Sequence, residues 1–273
     1  MSDQQSSEDA PVRDIRLDVP GSARIWNYWM GGKDHYPIDR EAGDAVVAVN
    51  PGIVTVAKQS REFLIRAVST LAGELGVRQF LDVGTGLPTM QNTHEVAQGI
   101  APESRIVYVD NDPMVLAHAR ALLTNTTPEG VTGYIDADYH EPDLIVSDAR
   151  NLLNFTRPIA VMFMGVLGHV PDFEDMLWIV QQVMDAVPSG SYLLLWDSTN
   201  TSEEVIEGRA MQEQTQIPYE LRTVEQLTRC FDGLELLDPG VVSITQWRPD
   251  AIQLEAGSEL GPIDAYGGLG RKP

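Results

Sequence analysis

"LDVGTGLP", Leu81 to Pro88, is the stretch on which the fold turns. The residues up to Asp82, "RQFLDV" when Val83 is included, read as a short apolar strand ending at Asp82. Gly84 and Gly86 follow, and a helix is expected from Pro88 to about Gly99. Glycine at both loop positions permits positive φ and lets a ligand approach the backbone. Strand, glycine loop and helix in that order open a doubly wound α/β unit, whose ligand lies at the carboxyl end of the first strand.

Working outward, the same alternation continues. "RIVYVD" is a second strand ending at Asp110, and Pro113 opens the helix "PMVLAHARALL". "TGYIDAD" is a third strand ending near Asp138, "PIAVMFM" a fourth and "SYLLLWD" a fifth. Met176, Leu177, Val180, Val183, Met184 and Val187 form the apolar stripe of a helix from Asp172 to Val187. Upstream, Val56, Phe63, Leu64, Ala67, Val68, Leu71 and Leu75 share one helical face, and Gly76 stops that helix. Strands this apolar, alternating with helices, predict a parallel sheet covered on both faces. Near the end, "LELL", "DPG" and "VVSITQW" read as two strands joined by a tight turn. The expected fold is a three-layer αβα, Rossmann-like α/β domain with a mostly parallel seven-stranded sheet and a C-terminal antiparallel hairpin.

Bulk composition narrows the partners. A chain of 273 residues makes one large domain or two small ones. A net charge of −21 repels phosphate backbones, which argues against nucleic acid and anionic membranes as partners. No apolar run approaches the roughly 18 residues of a membrane span. The N-terminal "MSDQQSSEDAP" lacks the basic and apolar regions of a signal peptide. Cys230 is the one cysteine, so no internal disulfide forms, and the histidines show no metal-ligand spacing. A cytoplasmic setting and no metal are expected.

The loop chooses its nucleotide. In a full dinucleotide fingerprint, G-x-G-x-x-G, the third glycine stands where this chain has Thr89. Pro88 at the first helical turn removes a donor a pyrophosphate would use, and no Lys or Arg lies in the loop. Asp110 lies where a carboxylate accepts both ribose hydroxyls, Asp138 where it meets an adenine amino group, and Asp82 where it meets a ligand ammonium. Three acids at three consecutive strand ends, with no cation for phosphate, suit S-adenosylmethionine.

At these residues the chain resembles the class I methyltransferases. It is similar in particular to a bacterial S-adenosylmethionine-dependent methyltransferase family long known as a domain of unknown function. The motifs "ARIWNYWMGGKDHYPIDREAGD", "QFLDVGTGLPTMQNTHEVAQ", "VYVDNDPMVLAHARALL", "VVSITQWRPD" and "YGGLGRKP" carry the resemblance over residues 20–273. It implies that Asp82, Gly84, Thr85 and Gly86 line the methionine half of the cofactor. It implies Asp110 and Asn111 at the ribose and adenine edge, Asp138 and Tyr139 beside the adenine, and "MGVLGHVPD", with Gly165, along the methionine moiety. S-adenosylhomocysteine is the implied product. Many relatives carry histidine at the position of Gly168; this chain has His169 instead.

Methyl transfer is an in-line displacement, so the protein must align the nucleophile and exclude water. A general base is needed only if the acceptor must lose a proton. His169 is the first candidate base and His35 the second. Tyr28 and Tyr36 are candidates to bond an acceptor or shield the sulfonium. Lys33 is a candidate for the cofactor carboxylate or an anionic acceptor. Trp26, Tyr28, Trp29 and Tyr36 fall within eleven residues of a chain only 7% aromatic. "WNYWMGGKDHY" is therefore read as a lid whose glycine pair gives a hinge or close approach. The expected organisation is a disordered acidic leader over 1–20, a helical lid or cap over 21–55 and a methyltransferase domain over 56–273. Thr201 to Glu225 is expected to form a helix, break at Pro218, and help cover the acceptor. The expected partner is a small-molecule acceptor, methylated at O or N and drawn from secondary metabolism. The oligomeric state is open, with a dimer one option. A non-catalytic S-adenosylmethionine sensor is the alternative, and a nicotinamide-dependent oxidoreductase a third reading.

Overall fold

The structure, a computed structural model, describes residues 15–89, 91–122, 124–203, 205–206, 218–249 and 261–273. Helix α1 (Ser22–Trp29) leads to α2 (Pro37–Val49) and α3 (Ile53–Ser69), which a π turn extends through Thr70–Glu74. Strand β1 (Gln79–Val83), helix α4 (Thr93–Ile100), β2 (Arg105–Asp110), α5 (Pro113–Leu122) and β3 (Val131–Asp136) follow. Then come α6 (Pro142–Ala149), β4 (Ala160–Met164), α7 (Phe173–Ala186), β5 (Tyr192–Ser198) and α8 (Val224–Arg229). The chain ends in β6 (Glu235–Leu236), β7 (Val242–Ser243) and β8 (Ala265–Arg271).

The sheet runs β3-β2-β1-β4-β5-β8-β6, with β1 to β5 parallel to their neighbours. Sequence order reverses between β1 and β4, which opens a crevice at their carboxyl ends. The expected class is observed, and its antiparallel part is built differently. The strands in "LELL" and "VVSITQW" do not pair with each other. Each is two residues long and pairs with β8, β6 at Gly270 and Arg271 and β7 at Tyr266 and Gly267. The two share one edge of β8, so the sheet is seven positions wide. Strand β8, "AYGGLGR", supplies the antiparallel partner of β5 along its whole length. Glycine is a poor strand former, but here bulk is excluded: a Cβ on Gly267 would lie 2.5 Å from the Trp196 Cβ.

Alternation along the strands sorts the core into two layers. Leu81, Val83, Val107, Val109 and Phe163 face one side, under α6, α7 and α8. Phe80, Ile106, Tyr108 and Met162 face the other, where the apolar faces of α3 and α4 cover them. The stripes expected on α3 and α7 are the ones buried in these layers. Because Phe80 faces α3 and α4, Asp82 does too, two residues further on.

The loop after β1 differs from expectation. Helix α4 starts at Thr93, with Asn92 as its N-cap and Glu95 bonding back to the Asn92 N–H at 2.7 Å. Pro88 thus sits in the loop, not in a first helical turn, and removes no donor from the helix end. The glycine pair of the leader is a helix stop rather than a hinge. Gly31 N–H donates to Tyr28 and Gly32 N–H to Asn27, the crossed pair of a Schellman motif, with Gly31 at φ +82. Residues 1–14 of the expected acidic leader, and most of the helix expected between Thr201 and Pro218, lie outside the described residues. Among those described, no helix is long and apolar enough to cross a membrane.

Candidate active site

A cavity of about 690 Å3 opens at the carboxyl ends of β1, β2, β4 and β5 and is roofed by α1 and the first half of α3. Its floor is the glycine loop. Gly84, at φ +74, lies against Val166: a Cβ there would come within 2.4 Å of a Val166 methyl. At Gly86, φ +67, a Cβ would meet no atom within 4 Å, so the backbone there fronts open space.

Two acids stand on this floor. Asp82 is 3% exposed and accepts a hydrogen bond from Thr93 Oγ1 at 2.8 Å. Burial pushes its pKa up to about 6, against the opposing pull of the Thr93 bond and the Arg61 charge. Asp110 accepts from the Gly86 N–H at 2.8 Å and the Asp112 N–H at 3.0 Å. Burial raises it also to about 6. Each Asp110 oxygen keeps a lone pair after its backbone bond, so a diol can still be received. Asn111 and Tyr139 line the wall beside it, and burial raises the Tyr139 pKa to about 12.

The far wall comes from β4 and β5. Gly165, at φ +77, is pressed on Trp196, where a Cβ would meet the indole at 2.4 Å. Trp26 leans on the same indole, with centroids 5.9 Å apart, and meets Trp29 edge-on at 5.7 Å. His169 lines the cavity and meets Tyr219 edge-on at 4.9 Å. Its Nδ1 lies 2.9 Å from the Pro218 carbonyl oxygen. Burial lowers its pKa, with the Pro218 bond opposing. Behind it, fully buried Asp197 accepts from the Gly168 N–H, the Ser198 N–H and the Tyr219 hydroxyl. A Cβ on Gly168 would strike the Tyr219 ring at 2.3 Å, so position 168 has no room for a side chain beside Tyr219.

The cavity thus brings together Asp82, Gly84, Thr85, Gly86, Asp110, Asn111, Tyr139, Gly165 and His169. It does not take in Asp138, Tyr28, Lys33, His35 or Tyr36. Asp138 instead receives the Asn111 side-chain amide at 2.8 Å and the His140 N–H at 2.9 Å, orienting Asn111 from behind. Tyr28 donates to Asp44 at 2.7 Å, and His35 packs on the Tyr28 ring at 5.1 Å. Tyr36 packs with Leu87, Met114 and Val115 beneath the loop, and Lys33 is exposed. Reading the sequence missed Arg61, Thr93, Trp196 and Tyr219. Thr93 could have been found as the first residue after an N-cap; the others meet the site only through tertiary packing.

These residues fit S-adenosylmethionine. The floor offers carboxylates to an ammonium and a diol, the loop backbone is open at Gly86, and the loop holds no cation for a pyrophosphate. Of the guanidinium groups on the wall, Arg24 is bound to Asp39 at 2.8 Å and Arg16 to Asp18 at 2.6 Å. Among the described residues no group of three or more His, Cys, Asp or Glu is placed to hold a metal.

Comparison with known proteins agrees. The family model described as "S-adenosyl methyltransferase" matches residues 8–273. A DUF574 family protein from Streptomyces avermitilis is 42% identical, with a TM-score of 0.89, over 95% of this chain and 100% of that one. A candidate methyltransferase from Thermobifida fusca is 37% identical, with a TM-score of 0.83, over 94% and 97%. A methyltransferase dependent on the same cofactor, from Anabaena variabilis, is 16% identical with a TM-score of 0.50 over 76% and 84%, a likeness of fold alone. No curated protein matches the chain.

Proposed function

The chain belongs to the S-adenosyl methyltransferase family and is a methyltransferase dependent on S-adenosylmethionine; from that premise we propose that it methylates an oxygen or nitrogen of a small molecule seated between α1 and the strand ends. When bound, S-adenosylmethionine supplies a methyl group activated by a sulfonium. The observation that carries the acceptor half of the reading is the setting of His169. A carbonyl oxygen only accepts, so His169 Nδ1 donates to Pro218 and the lone pair belongs to Nε2. Burial holds the ring neutral near pH 7, able to take a proton. Nε2 would take the proton of an acceptor hydroxyl or amine, leaving its oxygen or nitrogen lone pair free to receive the methyl group. Trp26, Trp29 and Trp196 give this end apolar walls that exclude water. The leader would act here as a wall of the acceptor pocket.

The test is incubation of the protein with methyl-labelled cofactor and fractionated small metabolites. Label should move to a phenol, alcohol or amine. His169→Gln should lower kcat about 100-fold or more, within the usual range for a general base, while leaving cofactor affinity unchanged. Tight cofactor binding with no transfer to any fraction would favour the sensor instead.

A further inference from the structure

Arg61 is a half-buried arginine that stands apart from the others. It lies on α3, lines the cavity, and forms no hydrogen bond or ion pair with another described residue. Its Nε is sealed from solvent with no partner. The other arginines packed into this part of the fold are engaged. Arg24 holds Asp39 and the Val19 carbonyl, and Arg66 holds the Trp247 and Ile244 carbonyls. Leaving a buried donor of a charged group unpaired is costly, and a fold keeps such a group where something else pairs it.

The acid that acts most strongly on it is Asp82, which lines the same cavity and bonds Thr93 and not Arg61. Each nonetheless acts on the other: the Asp82 charge pulls the Arg61 pKa up against burial, and the Arg61 charge pulls that of Asp82 down. A carboxylate and a guanidinium thus line one cavity without bonding each other. A zwitterion completes that arrangement, its ammonium to the acid and its carboxylate to the arginine. The planar guanidinium fork suits a carboxylate.

We propose that Arg61 and Asp82 form a clamp for the α-amino acid end of the cofactor, with Arg61 binding its carboxylate. This rests on the cofactor reading above. It also reassigns the carboxylate from Lys33, which is exposed and off the cavity.

The experiment is calorimetric titration of the full chain and of R61M with S-adenosylhomocysteine and with its decarboxylated analogue. Wild type should prefer S-adenosylhomocysteine by about tenfold or more, the scale of one charge-assisted bond. R61M should bind the two ligands alike, with little change towards the analogue. If R61M keeps the wild-type preference, the clamp is overturned while the cofactor reading stands. If wild type binds neither ligand, both fall. Should R61M not fold, R61K is read the same way, since it keeps the charge and loses the fork: a preference cut several-fold supports the clamp, and an unchanged one overturns it.

Discussion

Gly84 and Gly86 look alike in the sequence and do different work. Both sit in the left-handed region, at φ +74 and +67. At Gly86 an added methyl meets nothing, so alanine there costs only the backbone strain of about 1 to 2 kcal/mol. At Gly84 the same strain is joined by the Val166 methyls at 2.4 to 2.9 Å, on a side chain with little freedom to retreat. Denaturant unfolding should therefore show Gly84→Ala losing clearly more stability than Gly86→Ala; equal losses would mean that Val166 gives way freely. Asp82, Asp110 and the two glycines were legible because strand ends are fixed in a doubly wound fold, whereas Asp138, two residues past the end of β3, lies off the cavity. Arg61 was not: it lies 21 residues before Asp82, on a helix whose apolar stripe says only that it packs. Its role appears once α3 docks over β1.

At the scale of elements, the leader shows the limit of composition. Its aromatics do reach the cavity, but only Trp26 and Trp29; Tyr28 and Tyr36 face other partners. For Tyr28 the difference is helical phase along α1, and for Tyr36 its place as the N-cap of α2, neither of which a cluster count carries. Asp39, fully buried on α2, is the joint that sets this phase. It accepts from the Gly21 N–H, the Tyr36 N–H and Arg24 Nε, all within 2.8 to 2.9 Å. Removing one partner of a buried pair typically costs about 3 to 5 kcal/mol, because the other charge is left behind. Arg24→Met should thus lower the melting temperature by several degrees and expose α1 to protease. A variant that melts like wild type yet binds cofactor poorly would instead mark α1 as a lid that opens without cost to the fold. The glycine-rich β8 was equally hidden. Its residues have low strand propensity, and what makes them a strand is the lack of room beside Trp196 and Phe231.

For the molecule as a whole, the consequence lies in its response to pH. Asp82, Asp110 and Asp197 are all raised by burial to about 6, far above their unfolded value near 4. Between those values the folded chain holds protons that the unfolded chain has lost. Stability from these groups is therefore gained as pH falls through 6 and lost as it rises through 6. A net charge of −21 acts in the same sense, since acid relieves self-repulsion. His94 and His169 oppose it: burial lowers both, so the unfolded chain takes up their protons first as pH falls below about 6.5. The three acids, each raised by about two units, and the relief of self-repulsion act together against the two histidines. The ligand-free protein should melt at a higher temperature near pH 5.5 than near pH 7.5. Cofactor reverses part of this trend. An ammonium on Asp82 and a diol on Asp110 both favour the ionised acids, whereas Asp197 lies behind the wall. Binding of S-adenosylhomocysteine near pH 6 should then release protons, seen as a binding heat that varies with buffer ionisation enthalpy. Affinity should decline as pH is lowered below 6. An affinity flat from pH 5 to 7.5, with no proton release, would take both carboxylates out of the cofactor site.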